Sequence, residues 1–151
     1  MSDCIFCRIA VGELPAEVIA TSERAIAFLD ISPATRGHAL VIPRAHATDV
    51  GDIGEEDLAA CAALAAHVAR LAREDLGAAG VNLLNSSGSA AWQTVFHFHL
   101  HVIPRYPGDP LRLPWAPAPG DPAEIAAAAA SYRSAASSVS GAASKSPPSV
   151  E

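Results

Sequence analysis

The stretch VFHFHLHVIPR, residues 95–105, carries three histidines at every second position. Successive side chains of a β-strand point to opposite faces, so a strand here would place His97, His99 and His101 side by side. A row of imidazoles needs partners for its nitrogens, and this predicts a functional site. The same face holds Val95 and Ile103, while the opposite face is apolar and predicts a core: Phe96, Phe98, Leu100 and Val102.

Two kinds of chemistry could use such a row. A site in which all three histidines bind one metal ion is disfavoured, because three ligands on one strand spread over about 13 Å of backbone. Zinc in a tetrahedral site holds its ligands at about 2 Å. The alternative is a division of labour, in which one histidine attacks as a nucleophile and a neighbour orients it or moves protons. The spacing disfavours the first chemistry without excluding it.

The rest of the chain contains strand and helix patterns without a regular strand–helix repeat. Strands are predicted in the opening segment, on both sides of a polar turn at 22–24, at HALVIP (38–43) and at VNLLNS (81–86). Helices are predicted over 55–76 and, with Asp121 as its cap, over roughly 122–137. This order favours an α+β fold with an antiparallel sheet. We expect one domain over 1–138 and a disordered Ser/Pro/Ala-rich tail at 139–151.

Composition and charge narrow the function classes. The chain has 151 residues and a net charge of −6, which argues against a general nucleic-acid binder because such a protein needs a basic face. No signal-peptide pattern opens the sequence, and no apolar run is long enough to span a membrane. The three cysteines are an odd number, so a disulfide scaffold is not expected. We therefore expect a cytoplasmic location, with no nucleic-acid and no membrane partner.

The segment HFHLHVI, residues 97–103, resembles the signature of the histidine triad (HIT) superfamily, in which histidines alternate with apolar residues. The segments CIFCRIAVGELPAEVI, AFLDISPATRGHALVIPRAH, VNLLNSSG and QTVFHFHLHVIPR are similar to its bacterial, zinc-containing branch, which is related to purine nucleoside phosphoramidases. Together they cover most of residues 4–105. The resemblance implies a HIT-like fold, an antiparallel sheet of about five strands with one central helix and a C-terminal helix. It also implies a homodimer that pairs the two sheets.

For function, the resemblance implies a nucleotide hydrolase or transferase. His99 would attack the α-phosphate of a purine nucleotide, break a P–N or phosphoanhydride bond and form a nucleotidyl-histidine intermediate. Water would then release a nucleoside monophosphate such as AMP, while His101 contacts phosphate oxygens and helps proton transfer. A dinucleoside polyphosphate hydrolase or a phosphorylase-like transferase is the alternative within this class. A nucleotide-binding regulatory module with vestigial activity is the alternative outside it.

The resemblance also implies the substrate contacts. Asp30 would hold the ribose hydroxyls, a task for which a carboxylate has two acceptor oxygens. One residue departs from the family pattern, since Trp92 stands where relatives carry glycine, and its bulk affects the expected loop conformation and leaving-group size. The amide and hydroxyl groups that match phosphate or leaving-group contacts are Asn85, Gln93 and Thr94. The base pocket would be formed by Phe28, Leu29 and Ile31, which are equally expected in an ordinary core.

The Cys4-x-x-Cys7 pair by itself is compatible with a redox role, a metal site or no particular role. Zinc needs four ligands, and the resemblance implies that His46 and His97 are the other two. It implies one structural zinc ion per chain, which would join the N-terminus to the histidine segment. Trp115 is expected to line a substrate site or to pack at the surface. Three further side chains receive no function, namely His38, His67 and Cys61, the last of which is expected in the core.

Overall fold

The computed structural model describes residues 3–140, and the chain divides into two compact units, Met1–Leu111 and Arg112–Glu151. The first unit holds helix α1 (Ile5–Ala10), strands β1 (Val18–Thr21), β2 (Ala25–Leu29) and β3 (Ala39–Pro43), helix α2 (Glu55–Glu74), strand β4 (Gly80–Asn85), a 3₁₀ turn (Ser89–Ala91) and strand β5 (Leu100–Arg105). The second unit holds helix α3 (Pro122–Ser140). Of the tail expected at 139–151, residues 141–151 lie outside the described residues.

The five strands form one antiparallel sheet in the order β1-β2-β3-β5-β4, which confirms the predicted α+β architecture. β1 and β2 form a hairpin because Ser22 closes the polar turn between them. Its Oγ accepts a hydrogen bond from the Ala25 amide N at 3.0 Å. Helix α2 then connects the inner strand β3 to the edge strand β4, so β5 returns into the sheet between them.

Helix α2 covers one face of the sheet. Its buried stripe includes Cys61, Leu64, Ala65 and Val68, spaced at the three- and four-residue intervals of an amphipathic helix. The stripe packs against small strand residues, namely Ala25, Ala27, Ala39, Val41 and Val102. The alanines let the helix approach the sheet closely, so an alanine-rich sequence still forms a dense core.

The strand prediction for the opening segment is wrong, because residues Ile5–Ala10 form helix α1. Phe6, Ile9 and Ala10 lie three and four residues apart, and they pack onto the second face of the sheet with Phe28. A helix of six residues is not stable in isolation, so tertiary contacts decide its conformation. One such contact is a hydrogen bond from Nη1 of Arg44 to the Ala10 carbonyl O at 3.2 Å. A stripe this short is hard to recognise in the sequence because it spans fewer than two turns.

The histidine segment is less regular than the single strand that the alternation predicts. Strand β5 includes only His101 of the three histidines. Residues 95–99 precede β5, and there the Phe98 amide N donates to the carbonyl O of Ala47, in the loop after β3, at 2.6 Å. The prediction that Phe96 lies in the core is therefore wrong, since its side chain is 50% exposed, while Phe98 is buried as expected.

Helix α3 has the N-terminal cap that the sequence predicts. The Oδ1 of Asp121 accepts a hydrogen bond from the Ala123 amide N at 2.8 Å. In the same unit Trp115 is mostly exposed, and its role stays a prediction. Within residues 3–140, no helix combines the length and the apolar character that crossing a membrane requires.

Candidate active site

A cavity of about 350 Å³ opens beside His99 and His101 and is large enough for a small organic ligand. Helix α1 and the sheet give it an apolar wall, formed by Ile5, Phe6, Ile9, Phe28, Leu29 and Leu40. Two loops add the rest of the lining that concerns the site, namely Asp30, Ile31, Ser32, Thr94 and Val95. Most of the predicted substrate residues thus meet around one cavity. Asn85 and Gln93 are the two that do not line it.

The tautomer of His99 follows from one hydrogen bond. Its Nδ1 lies 2.8 Å from the backbone carbonyl O of His97. A carbonyl oxygen can only accept, so Nδ1 carries the proton, and in the neutral imidazole Nε2 keeps its lone pair. A neutral imidazole with an unprotonated Nε2 is the form that attacks an electrophile. His99 is 4% exposed, so this orientation is held inside the protein rather than at its surface.

Asn85 supports His99 through the backbone. Its Nδ2 donates to the His99 carbonyl O at 2.9 Å, and its Oδ1 accepts from Ser87 Oγ at 2.7 Å. Both polar atoms of the amide are therefore engaged within the protein. The contact of Asn85 with a phosphate, which the sequence led us to expect, stays a prediction.

His101 receives a hydrogen bond from a histidine to which the sequence assigned no function. The amide N of Ala34 donates to Nδ1 of His38 at 3.0 Å, so the proton of His38 is on Nε2. That Nε2 lies 2.9 Å from Nδ1 of His101 and donates to it. His101 consequently carries its own proton on Nε2. A residue in this tautomer can donate an N–H to a phosphate oxygen or to a leaving group.

Burial keeps this pair neutral. The pKa of His101 is lowered to about 4, mainly by removal from water and also by the neighbouring His99 and His38, whereas Asp30 opposes the shift. Burial also lowers the pKa of His38, again against the attraction of Asp30. The Oδ2 of Asp30 lies 3.7 Å from Nε2 of His38. Both imidazoles are therefore uncharged at neutral pH, as the hydrogen-bond directions require.

Gln93 organises the loop beside the cavity. Its Nε2 donates to the carbonyl O atoms of Thr48 at 2.7 Å and Val95 at 3.1 Å, and its Oε1 accepts from the Gly88 amide N at 2.7 Å. The residue before it, Trp92, has a φ of 70°, which is the left-handed conformation that glycine adopts without strain. The departure from the family pattern at this position therefore leaves a tryptophan in a conformation suited to glycine.

A second group of polar side chains lies next to His97. It comprises Cys4, Cys7, His46 and His97, whose potential ligand atoms all lie within 4.8 Å of one another. The Sγ of Cys4 is 3.4 Å from Nδ1 of His97, and the Sγ of Cys7 is 3.3 Å from Nδ1 of His46. In a tetrahedral zinc site, sulfur and nitrogen ligands are separated by about 3.5 Å. The donor types and distances therefore fit zinc.

The tautomer of His97 also suits a metal ligand. Its Nε2 lies 3.0 Å from the carbonyl O of Pro43, which can only accept, so Nε2 carries the proton. The lone pair is then on Nδ1, the atom that faces the two thiols. A backbone carbonyl that fixes the outer nitrogen of a ligand histidine is a common feature of metal sites. The third cysteine, Cys61, is buried in the core as predicted, and burial raises the pKa of its thiol to about 12.

Asp30, His38 and His101 form another cluster of potential ligand atoms within 4.8 Å. Here the tautomer argues against a metal. Because Nδ1 of His38 accepts from the Ala34 amide, its Nε2 must keep a proton, and a protonated nitrogen cannot bind a metal ion. The same type of reasoning thus favours a metal at the cysteine group and disfavours one beside the cavity.

Sequence reasoning missed two parts of this site, the apolar wall from α1 and the contact of His38 with His101. A signal for the second exists in the strand pattern. His38 lies two residues before Leu40, and Leu40 pairs with His101 across β3 and β5, so alternation puts both histidines on one face. For the wall, Phe6 and Ile9 share a helical spacing that becomes visible only once α1 is known to be a helix.

Comparison with known proteins agrees with this geometry. A family model described as HIT domain matches residues 11–108. The Bacillus subtilis protein named Protein hit is 41% identical over 104 residues, which is 69% of this chain and 72% of that protein. The Schizosaccharomyces pombe protein named Adenosine 5'-monophosphoramidase hnt1 is 37% identical over 126 residues, 82% of this chain and 91% of that protein.

Among solved structures, a Zn-bound histidine triad family protein from Mycobacterium smegmatis has the same fold. Its TM-score is 0.70 at 47% sequence identity, over 77% of this chain and 84% of that chain. The family model covers more than half of this chain, including all three histidines of the triad. The chain therefore belongs to the histidine triad (HIT) family.

Proposed function

We propose that this HIT protein is a nucleotide hydrolase or transferase that cleaves a P–N or phosphoanhydride bond at the α-phosphate of a purine nucleotide. The observation that carries the proposal is the 2.8 Å hydrogen bond from His99 Nδ1 to the His97 carbonyl O, because it leaves Nε2 as the unprotonated nitrogen. A neutral imidazole in this tautomer attacks without a separate base. The name of the Schizosaccharomyces pombe relative, adenosine 5'-monophosphoramidase, supports the same reaction class.

The reaction proceeds in two steps. First, Nε2 of His99 forms a bond to the α-phosphorus, and the bond from phosphorus to the leaving nitrogen or oxygen breaks. The leaving nitrogen or oxygen takes a proton from solvent, while His101 donates a hydrogen bond from its Nε2–H to that atom or to a phosphoryl oxygen. Then water attacks the phosphorus of the nucleotidyl-histidine, the bond from phosphorus to Nε2 of His99 breaks, the proton of the water goes to solvent, and the nucleoside monophosphate is released. His99 returns to its neutral form.

The cavity supplies the contacts that a purine nucleoside needs. Its apolar wall from α1 and the sheet suits the faces of the base. Asp30 can accept from the ribose hydroxyls, since a carboxylate has further lone pairs beside the one on Oδ1 that accepts from the Ser32 amide at 2.8 Å. Thr94 adds an exposed hydroxyl for the phosphate or the leaving group. These contacts make AMP the expected product with an adenine substrate.

We also propose one structural zinc ion per chain, held by Cys4, Cys7, His46 and His97. The distances within this group, the tautomer of His97 and the zinc-bound relative from Mycobacterium smegmatis support it. When bound, the ion supplies a fixed link between α1 and the histidine segment and takes no part in the bond changes. Thiolate ligands persist in a reducing compartment, which supports a cytoplasmic location.

A homodimer is the proposed assembly. β4 is an edge strand of the sheet, and it exposes Leu83 and Leu84 at 51% and 40%. An edge strand with unpaired backbone groups and exposed leucines readily pairs with another chain. In a twofold-symmetric dimer, the β4 strands of two copies would pair and cover these leucines.

The trapping of the covalent intermediate tests the proposed reaction. The full-length protein is mixed with an adenosine phosphoramidate, quenched in alkaline denaturant and analysed by mass spectrometry for an AMP adduct. We expect the adduct on His99 and none in His99→Ala, whereas His67→Ala, which changes an exposed histidine of α2, should behave as the wild type. Nucleotide binding without an adduct and without AMP release would instead indicate a regulatory module. Comparison of kcat/KM between phosphoramidates and dinucleoside polyphosphates then decides between the two hydrolase classes.

A further inference from the structure

Phe6 is a buried residue that lies between the two candidate sites and contacts both of them. It lies on α1 between Cys4 and Cys7, and it is 5% exposed. Its ring contacts three others edge to face: the centroid distances are 5.6 Å to Phe28, 6.0 Å to His97 and 5.3 Å to His99. One side chain therefore contacts both the candidate nucleophile and the candidate metal ligand.

The contact with His99 has a defined geometry. The planes of the two rings meet at 82°, which is the edge-to-face arrangement that aromatic rings prefer. His99 is fixed at Nδ1 by the His97 carbonyl, but a single hydrogen bond leaves the imidazole free to tilt about it. A ring packed edge to face removes that freedom, because any tilt would separate or overlap the two rings.

The position of Phe6 is itself well determined. Helix α1 is held near its start by the approach of Cys4 and Cys7 to Nδ1 of His97, at 3.4 and 3.5 Å. At its end, the Ala10 carbonyl O accepts from Arg44. A side chain on a helix anchored at both ends can hold a neighbouring group more rigidly than a side chain on a loop.

We propose that Phe6 is a positioning residue for the reaction assigned to this site: its ring edge holds the His99 imidazole against the His97 carbonyl, so that Nε2 stays aligned with the α-phosphorus. The proposal rests on the proposed function for its kinetic consequence, but its structural consequence can be measured without any substrate. Phe6 also belongs to the apolar wall of the cavity, but in this role it forms no bond with the substrate and acts through His99. Its effect on the chemical step follows because small displacements of a reacting atom slow a displacement strongly.

The first experiment is an NMR comparison of ¹⁵N-labelled protein, at constant pH, without substrate. In the wild type, the Nδ1 proton of His99 should be observed as a single hydrogen-bonded signal. In Phe6→Leu, which keeps apolar bulk but removes the ring, we expect this proton to exchange with water up to about tenfold faster, as loss of one edge-to-face contact implies. The matched control is Ile9→Ala, which alters the same helix and the same cavity wall and should leave the His99 signal unchanged. An unchanged signal in Phe6→Leu would overturn the proposal.

The second experiment separates positioning from binding. With a phosphoramidate substrate, Phe6→Leu should lower kcat by about tenfold with a smaller change in KM, because the nucleophile is misaligned. Ile9→Ala should mainly raise KM, because it removes apolar contact with the base. If Phe6→Leu and Ile9→Ala both raised KM equally and left kcat unchanged, Phe6 would only contribute apolar contact to the substrate. This result would overturn the proposal.

Failure of the proposed function and failure of the proposed positioning role of Phe6 give different results in these experiments. If the wild type forms no adduct and releases no monophosphate, the proposed function fails, while the NMR comparison still decides whether Phe6 positions His99.

Phe6→Ala is a second, more severe variant, and a measured zinc content and circular dichroism spectrum equal to those of the wild type establish that it is folded. If Phe6→Ala does not fold, Phe6→Leu alone decides the question.

Discussion

The backbone of His97 and the side chain of His99 meet in one hydrogen bond, 2.8 Å from the carbonyl O to Nδ1. The imidazole of His97 points elsewhere, with Nδ1 3.4 Å from Cys4 Sγ and Nε2 3.0 Å from the Pro43 carbonyl O. One residue therefore belongs to the candidate metal group through its side chain and to the candidate active site through its backbone. A shift of His97 would disturb both groups, and this connects the predictions that follow.

Replacement of Cys7 by serine should abolish zinc binding. A hydroxyl is a much poorer zinc ligand than a thiolate, so we expect the metal affinity to fall by more than about a hundredfold. Elemental analysis of purified protein should show about one zinc per chain in the wild type and almost none in Cys7→Ser. The control is Cys61→Ala, a change of the buried core cysteine that should retain the metal. A Cys7→Ser variant with full zinc content would refute the assigned ligands.

Replacement of His38 by alanine should slow the chemical step although His38 does not line the cavity. The change removes the donor at 2.9 Å from Nδ1 of His101, so His101 is no longer restricted to the tautomer with a proton on Nε2. We expect the rate of adduct formation at saturating substrate to fall by about tenfold to a hundredfold. Rapid-quench kinetics measure this rate, with His67→Ala as the control. Equal rates in both variants would show that the pairing of the two histidines has no part in the reaction.

The stability of the protein should decrease in mild acid because of His101. The pKa of His101 is about 4 in the folded protein and about 6.5 in an unfolded chain, so between these values the unfolded state binds more protons. The contribution of His101 to the free energy of unfolding is therefore at its maximum above about pH 6.5. It falls as the pH decreases towards 4, by up to about 3 kcal/mol. The groups that face this imidazole are Asp30, His38 and His99.

Urea unfolding of the zinc-loaded protein at several pH values measures this dependence. Acid also displaces zinc, so the comparison must be made with His101→Gln, which keeps the metal ligands and removes the titrating imidazole. We expect the free energy of unfolding to change less with pH in His101→Gln than in the wild type. The same slope in both proteins would assign the acid sensitivity to other groups.

Replacement of Trp92 by glycine should stabilise the protein. A non-glycine residue with a φ of 70° carries a backbone strain of about 1–2 kcal/mol, while glycine adds about 0.5–1 kcal/mol of entropy to the unfolded chain. The side chain is 63% exposed and loses little packing, so a net gain of about 0.5–1 kcal/mol is expected. Calorimetry should show a higher Tm for Trp92→Gly than for Trp92→Ala, in which the strain remains. Equal Tm values would mean that the backbone conformation is not the source of the effect.

Replacement of Leu83 by glutamate should dissociate the proposed dimer. A charge on the edge strand β4 would be buried at the interface without a partner, which strongly disfavours association. Light scattering coupled to size-exclusion chromatography should report a monomer for Leu83→Glu and a dimer for the wild type. Val50→Glu is the matched control, because Val50 is exposed to almost the same extent, 52% against 51%, but lies outside the strands. A dimer in Leu83→Glu would exclude pairing through β4.

Some features were predictable because they depend on short-range patterns. The hairpin around Ser22, helix α2 and the cap at Asp121 each follow from a local signal, either apolar spacing or a side chain that binds a nearby amide. The triad itself is a contiguous motif, so the resemblance to HIT proteins identified it directly. The ligand group of Cys4, Cys7, His46 and His97 was also anticipated, although its members lie far apart in the chain.

Other features depend on tertiary contacts that no local pattern contains. Helix α1 is too short to form alone and exists because Phe6 and Arg44 attach it to the sheet. The exposed Phe96 shows that alternation ends where the chain leaves the sheet, a point set by the loop at Ala47. The contact of His38 with His101 required the pairing of β3 with β5, which brings their ring nitrogens within 2.9 Å across 63 residues of sequence.

The sequence by itself thus determined the family, the order of most elements and the identity of the histidines and cysteines that could carry chemistry. The tertiary structure decided what each histidine can do, because the state of an imidazole depends on which of its nitrogens meets an acceptor. The carbonyl of Pro43, 54 residues away, leaves the lone pair of neutral His97 on Nδ1, and the carbonyl of His97 leaves the lone pair of neutral His99 on Nε2. His97 and His101 carry their proton on Nε2 and His99 carries its proton on Nδ1, and this difference arises only when the folded chain brings their partners to them.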